Sequence, residues 1–133
     1  MNGLKRIDHV GIVVDDLDRV SRFLGQMLGL ELLRTHEDPA GGVRASFFRC
    51  GDASIELIEL ADPEARARRL GTDRARVEHV AIEVEDLAAA AAGLDERGIR
   101  MTTTEPRQTG PTRSLFSLPE TTGGFVLQFL ERT

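Results

Sequence analysis

The sequence predicts an α+β fold made of two tandem βαβββ modules. The main observation is a pattern that occurs twice, at residues 6–17 and again at residues 76–87, with a constant offset of 70 residues. Each copy runs from a basic residue through apolar, acidic and His positions into alternating apolar residues, and ends with acids and Leu. This pattern is typical of a strand that leads into the N-terminus of a helix. Neither module can bury its sheet alone, so we expect the two to pair.

The first module begins with a strand predicted at residues 7–14, which carries His9 on one face. Asp15 or Asp16 caps the helix that follows, and Gly29 ends it. Apolar alternation and turn residues then predict the remaining elements. These are strands at 30–36, 43–50 and 54–60, with a loop at 37–42.

A linker at residues 61–75 separates the modules, and Asp62-Pro63 predicts a short helix within it. The order of elements then repeats, with a strand at 77–84 and an Ala-rich helix at 87–97. The remaining elements are strands at 99–104, 113–118 and 125–130, a loop at 107–111 and a turn at 119–124. The prediction is therefore one domain over residues 5–131, made of module 5–60, linker 61–75 and module 76–131.

Composition narrows the possible functions. The 133 residues have a formal net charge of −5 and contain no Trp and no Tyr, which disfavours nucleic-acid binding. No apolar run is long enough to span a membrane and no signal peptide is recognisable, so we expect a cytoplasmic protein without a membrane partner. The single Cys50 agrees with a reducing compartment. A small-molecule substrate is the expected partner.

Four polar residues occupy matching positions on the first and last strands of the two modules. They are His9, Glu56, His79 and Gln128. Two imidazoles, a carboxylate and an amide oxygen suit one divalent transition metal ion, and Zn, Ni, Co, Fe and Mn all remain open. Gly11 and Ala81 follow the histidines on the same strand faces, so they leave room for water or substrate. Open coordination positions indicate a catalytic metal.

A simpler interpretation must be weighed against the metal site. Glu56 and Gln128 could be solvent-facing positions of a one-sided antiparallel sheet. The paired spacing of the four residues favours the metal site. His36 has no counterpart in the second module, and we expect it at the surface.

At these residues the chain resembles the vicinal oxygen chelate superfamily, which includes glyoxalase I, methylmalonyl-CoA epimerase, extradiol dioxygenases and bleomycin resistance proteins. The resemblance covers about residues 5–131. Its marks are the Ile-Asp-His-Val-Gly and Glu-His-Val-Ala openings, Leu-Gly-Leu at 28–30 and Gly-Gly-Phe-Val-Leu at 123–127. It implies sheets that curl around a metal-binding cup, and it implies a homodimer.

Within this superfamily the chain looks most like methylmalonyl-CoA epimerase, at 42–44, 51–60 and 105–107. By alignment, however, the epimerase acid/base glutamate falls at Ala45, and its last metal ligand, usually Glu, falls at Gln128. Glyoxalase I-like enzymes use metal-bound glutamates as the base. This resemblance implies that Glu56 is both a metal ligand and the base.

Three arginines are candidates for binding an anionic substrate: Arg44, Arg107 and Arg113. The alternative is that they are ordinary solvent-exposed arginines. The loop 107–113 is the better candidate, because it resembles the epimerase substrate loop in position.

Together these observations predict a metal-dependent isomerase or lyase of glyoxalase/epimerase type. It would abstract a proton next to a metal-bound carbonyl of a small substrate, with Glu56 as the base. The alternative is a metal-free protein that sequesters a small molecule, as bleomycin resistance proteins do. A third possibility is a scaffold that only dimerises.

Overall fold

The computed structural model describes residues 1–38, 40 and 42–133. Pro39 and Gly41, which fall in the predicted loop 37–42, lie outside the described residues. The chain divides into two compact units. The first unit contains residues 9–78, and the second contains residues 1–8 and 79–133. Strand β1 therefore contributes to both.

In the part of the chain that the structure describes, eight strands and three α-helices follow one another in the predicted order. The strands are β1 (Leu4–Val14), β2 (Leu32–Asp38), β3 (Val43–Cys50), β4 (Ala53–Leu60), β5 (Ala75–Val84), β6 (Arg107–Thr109), β7 (Thr112–Phe116) and β8 (Val126–Arg132). The helices are α1 (Leu17–Arg22), α2 (Pro63–Leu70) and α3 (Leu87–Glu96), with a 3-10 turn at Pro119–Thr121. The α+β class and the repeated βαβββ order are confirmed. Among the described residues, no helix has the length and apolarity needed to cross a membrane.

The sheet of the first unit has the strand order β2-β3-β4-β1. Strand β1 runs parallel to β4, and the other neighbours are antiparallel. In the parallel pair, His9 lies opposite Ser54, and Gly11 lies opposite Glu56. The residue opposite Glu56 is therefore only two positions after His9 on β1, so His9 and Glu56 lie in the same part of the sheet.

The two helices of the first unit cover opposite faces of its sheet. On one face, α1 and the turn after it pack in a cluster of Val14, Leu17, Leu24, Phe48 and Leu57. On the other face, α2 packs in a cluster of Val13, Ile58, Leu60 and Leu70. Because side chains alternate along a strand, His9 shares a face with Val13, and Glu56 shares a face with Ile58. Both polar side chains therefore lie on the face that α2 partly covers.

The second unit repeats this arrangement. Its strand order is β5-β8-β7-β6, and the first residues of β1 extend it beside β5, where the Glu85 N–H donates to the Gly3 carbonyl at 2.9 Å. Helix α3 packs on one face, in a cluster of Val84, Leu87, Ala90, Leu94, Leu115 and Phe129. Strands β5 and β8 are parallel, with Ala81 opposite Gln128. Alternation places His79 and Gln128 on the face that points away from α3.

The predicted strand at 99–104 is wrong. The structure describes all of these residues, and among them Met101 forms a single bridge, with Ser117. Ile99 and Met101 pack against the α3 cluster, whereas residues 102–105 are exposed and polar and Pro106 has no N–H to donate. The strand that precedes β7 is therefore β6, a short element within the predicted loop at 107–111.

The first helix also differs from its prediction. It is α-helical only to Arg22, and Phe23–Met27 continue it as a π-helical turn in which the Leu28 N–H donates to the Phe23 carbonyl at 3.1 Å. A side chain at Gly25 would begin 3.4 Å from the ring of Phe48, so the wider turn lies close against the core.

Candidate active site

His9 is held in the first unit by two neighbours on the same face of the sheet. The imidazole is 5% exposed, and its Nε2 lies 3.4 Å from Oε1 of Glu56. The ring of Phe47 stands edge-on to the imidazole, with centroids 5.7 Å apart and planes at 84°. Phe47 is directly opposite Glu56 across β3 and β4. One phenylalanine therefore packs beside both an imidazole and a carboxylate.

The second unit holds His79 in the same way. His79 is 6% exposed, and the ring of Phe116 meets it edge-on at 6.0 Å and 80°. Phe116 is directly opposite Gln128 across β7 and β8. Each unit thus contains a His–Phe pair with one oxygen-bearing side chain across the strand. The sequence did not separate Phe47 and Phe116 from the neighbouring phenylalanines, which belong to the cores under α1 and α3.

The donor set in each unit fits a divalent transition metal ion. In the first unit an imidazole nitrogen and a carboxylate oxygen already lie within 3.4 Å of each other, and such nitrogen and oxygen ligands suit first-row ions. Small residues lie across from the oxygen donors, because Gly11 is opposite Glu56 and Ala81 is opposite Gln128. Those positions add little side-chain bulk beside the donors.

An arginine of α2 lies close to this part of the first unit. Arg69 donates two hydrogen bonds of 2.6 Å to Glu78, the residue before His79 in the sequence. The bond to Glu78 raises the pKa of the Arg69 guanidinium above its ordinary value, burial opposes this, and the charge of Glu56 adds to the increase. Arg69 therefore stays charged and fixes the strand residue that precedes the second histidine.

In the second unit, basic side chains surround Asp8 and Glu83. Arg6 and Arg132 both bond to Asp8, and Lys5 lies 3.0 Å from Glu83. Burial raises the pKa of the Glu83 carboxyl, but hydrogen bonds and charge from Lys5 and Arg6 outweigh burial and leave this pKa below its ordinary value. Glu83 is consequently a stably ionised group, although only 5% of it is exposed.

Arg44 does not lie beside His9. Alternation along β3 places it on the α1 face, opposite to Phe47. There its guanidinium contacts Asp18 and Glu59 at 3.2 Å and Glu37 at 3.5 Å. The hydrogen bond to Asp18 raises the pKa of Arg44. Three acidic neighbours neutralise this side chain, so the structure gives no support to its predicted role in substrate binding.

Arg113 is placed in the equivalent way in the second unit. It shares the α3 face of β7 with Leu115, opposite to Phe116, and its Nη2 lies 3.9 Å from Glu131. Like Arg44, it is separated by its strand from the face that carries the histidine.

Arg107 lies on the other face of the second unit's sheet from Arg113. It lies opposite Ser114 across β6 and β7, and Ser114 shares a face with Phe116 because the two are two residues apart. Arg107 is exposed and projects from the face of the sheet that carries His79.

Arg34 and His36 of β2 lie on the His9 face of the first unit. The guanidinium of Arg34 lies over the ring of Phe47, with its carbon 3.8 Å from the centroid. His36 is exposed, as predicted, and is paired with Ala45, which is 2% exposed. Sequence reasoning missed Arg34, because its position depends on an irregularity in the pairing of β2 with β3.

Comparisons with known proteins agree with this fold. The model of the Glyoxalase/Bleomycin resistance protein/Dioxygenase superfamily matches residues 8–116. The mitochondrial methylmalonyl-CoA epimerase of Bos taurus is 30% identical over 131 residues, which cover 97% of this chain and 75% of that protein. The lactoylglutathione lyase of Haemophilus influenzae is 29% identical, over 95% of this chain and 92% of that one.

A solved structure extends the likeness to three dimensions. The methylmalonyl-CoA epimerase of Streptomyces coelicolor, as a variant in complex with 2-nitronate-propionyl-CoA, superposes with a TM-score of 0.85 at 28% identity. The match covers 98% of this chain and 99% of that one. This likeness confirms the fold class predicted from the internal repeat.

Proposed function

Because the chain belongs to the glyoxalase/bleomycin resistance protein/dioxygenase superfamily, we propose that it is a metal-dependent isomerase or lyase that moves a proton next to the carbonyl of a small substrate. Its relatives include an epimerase and a lyase, so an enzyme of the isomerase or lyase type agrees with the comparisons. The observation that carries the proposal is the buried contact between His9 and Glu56, at 3.4 Å.

The proposed metal ligands are the four residues predicted from the sequence, His9, Glu56, His79 and Gln128. The position of Glu56 opposite Phe47, and of Gln128 opposite Phe116, supports this set, because each oxygen donor is held beside the phenylalanine that orders a histidine. A bound divalent ion would act as a Lewis acid and stabilise negative charge that develops on the carbonyl oxygen of the substrate.

Glu56 is the proposed base. Of the two oxygen donors at matching positions, only the carboxylate of Glu56 can accept a proton near neutral pH, because the amide of Gln128 cannot. Glu56 would take the proton from the carbon next to the carbonyl, and the bonding electrons would move toward the carbonyl oxygen. Glu56 would then return the proton to the resulting anion at the other carbon, which gives the product. Its side chain is 16% exposed, so a substrate can reach it.

The residue at position 45 favours a mechanism with one base. Ala45 lies on the same face of β3 as Phe47, where a second acid or base would have to stand for a two-base epimerisation, and a methyl group can do neither. Proton removal and return by Glu56 alone suit an isomerisation in which the proton shifts between neighbouring atoms of the substrate. A thioester or a glutathione adduct is the proposed substrate class, by likeness to the two relatives.

Elemental analysis and turnover assays test the proposal together. We expect about one divalent ion per chain in the wild type and its loss in His79→Ala. Glu56→Gln keeps an oxygen ligand but removes the base, so we expect turnover of methylmalonyl-CoA or of the hemithioacetal of methylglyoxal and glutathione to fall by at least about 100-fold. Glu96→Gln, an exposed residue at the end of α3, is the matched control.

Full turnover in Glu56→Gln would show that another group is the base. A wild type that takes up no ion and binds a small ligand without turnover would support the alternative function, sequestration of a small molecule. The homodimer and the cytoplasmic location stay predictions, and light scattering after size-exclusion chromatography tests the first of them.

A further inference from the structure

An irregularity in β2 determines where Arg34 points. Leu32 is paired with Phe48, but Arg34 is paired with Phe47, so two steps along β2 correspond to one step along β3. Such a bulge reverses the alternation of side chains and often re-aims a residue beside an active site. Without it, Leu32 and Arg34 would share a face. With it, Arg34 joins Phe47 on the face that carries His9.

The guanidinium of Arg34 lies over an aromatic ring. Its carbon lies 3.8 Å from the centroid of Phe47, whose ring stands 5.7 Å from that of His9. The face of the ring attracts a cation in this position, and the planar fork of N–H groups of a guanidinium can bind a bidentate acceptor. One phenyl ring thus separates a fixed hydrogen-bond donor group from the proposed metal ligand.

Arg34 also differs from neighbouring arginines in its charge environment. In the first unit, Arg44, Arg49 and Arg69 all have carboxylate partners. Within the described residues, no ion pair includes Arg34, which is exposed. An oriented cation without an acidic partner, one ring away from the reacting groups, is suited to an anion that arrives with the substrate.

We propose that Arg34 is a specificity-determining residue that binds an anionic group of the substrate, a carboxylate or a phosphate. The inference rests on the proposed function, which puts the reacting carbonyl beside His9 and Glu56. The substrate is then a carbonyl compound that carries its anionic group a few bonds from the carbon that loses the proton. A neutral compound of the same size would lack this contact.

Calorimetric titration of the metal-loaded protein with acetate, malonate and phosphonoacetate tests the inference without requiring turnover. Malonate is acetate with a second carboxylate, and phosphonoacetate replaces that carboxylate with a phosphonate. We expect the wild type to bind at least one of these two dianions about tenfold or more tightly than acetate, because a charge-assisted hydrogen bond supplies that much selectivity. Preference for malonate indicates a substrate carboxylate, and preference for phosphonoacetate indicates a phosphate.

The variants identify the residue responsible. Arg34→Gln should bind the preferred dianion no more than about twofold more tightly than acetate. Arg34→Lys keeps the charge but not the planar guanidinium, so its preference should lie between those of the wild type and Arg34→Gln. Arg49→Gln makes the same charge change at a position already paired with Glu31 at 2.9 Å, and should behave as the wild type. A wild type without the preference, or an Arg34→Gln variant that keeps it, overturns the inference.

Metal content measured on the same samples separates this inference from the proposed function. If the wild type binds no ion and yet shows an Arg34-dependent preference, the anion site stands and the metal proposal fails. If the ion is present and Arg34→Gln leaves the preference unchanged, the metal proposal stands and the anion site at Arg34 fails.

Discussion

Glu59 and Glu131 have the same structural role in the two units. The carboxylate of Glu59 accepts a hydrogen bond of 2.8 Å from the N–H of Leu17, the first residue of α1. The carboxylate of Glu131 accepts one of 3.2 Å from the N–H of Leu87, the first residue of α3. Each glutamate therefore ties the last strand of its unit to the start of a helix, where an unpaired N–H and the helix dipole both favour a negative charge.

Neutralising these glutamates should lower stability, and more so in the first unit. We expect Glu59→Gln to reduce the free energy of unfolding by about 1–2 kcal/mol, and Glu131→Gln by about 0.5–1 kcal/mol. The difference arises because Glu59 has the shorter helix bond and a 3.2 Å contact with Arg44, whereas Arg113 lies 3.9 Å from Glu131. Urea titration measures both values. Glu96→Gln provides the control, and equal losses in all three variants would contradict the assigned role.

The sequence was sufficient for the parts of the fold that depend on local patterns. The bounds of β3 were predicted correctly, and α2 begins at Pro63, where the short helix of the linker was expected. For α1, two caps were left open, and the structure selects Asp16, whose carboxylate accepts from the Arg19 N–H at 3.0 Å. Such features are local, because capping and alternation involve residues that are neighbours in the chain.

Some features of the structure could have been predicted from the sequence but were not. Arg44 and Phe47 have opposite parity on one strand, so alternation alone would have placed Arg44 away from the phenylalanine that packs on His9. Glu59 and Glu131 are separated by 72 residues, the same offset as Glu56 and Gln128. The repeat was therefore informative beyond the histidines.

Other features could not be predicted from the sequence, because they depend on pairing between residues that are distant in the chain. The bulge that brings Arg34 to Phe47 is a register shift between two strands, and nothing in the residues of β2 specifies it. The same is true of β6, where the residues that pair with β7 lie later in the chain than the segment 99–104 predicted as the strand. Ile99 and Met101 of that segment pack against the α3 cluster instead.

Glu83 should make the protein sensitive to acid. Its pKa is lowered in the folded state, so it binds a proton more readily when unfolded. Its contribution to stability is complete above the ordinary glutamate pKa of about 4.3 and is lost as the pH falls from there through the lowered value. We expect Glu83→Gln to be less stable at pH 7 and to lose less of its remaining stability between about pH 5 and pH 3 than the wild type.

Thermal unfolding at several pH values measures this difference. Glu96→Gln, which removes an exposed carboxylate at the end of α3, is again the control. If the curves of stability against pH for Glu83→Gln and the wild type are parallel, the ionised carboxylate of Glu83 does not contribute to acid sensitivity, and the prediction is wrong.

Phe47 should matter for the proposed metal site rather than only for the core. Its ring is 8% exposed and meets the imidazole of His9 edge-on, so a smaller side chain would leave that imidazole free to turn away from Glu56. We expect Phe47→Leu to weaken metal binding by about tenfold, a size typical of groups that orient a metal ligand. Competition with a chelator of known affinity measures the change.

Phe48 offers a matched control for this prediction, because it is the next residue on β3, is 3% exposed and packs under α1 on the other face. Phe48→Leu removes the same atoms from a core, so it should lower stability by a similar or larger amount, about 1 kcal/mol or more. Its metal affinity should stay at the wild-type level. Equal weakening of metal binding in the two variants would mean that the effect of Phe47→Leu reflects loss of stability rather than the orientation of His9.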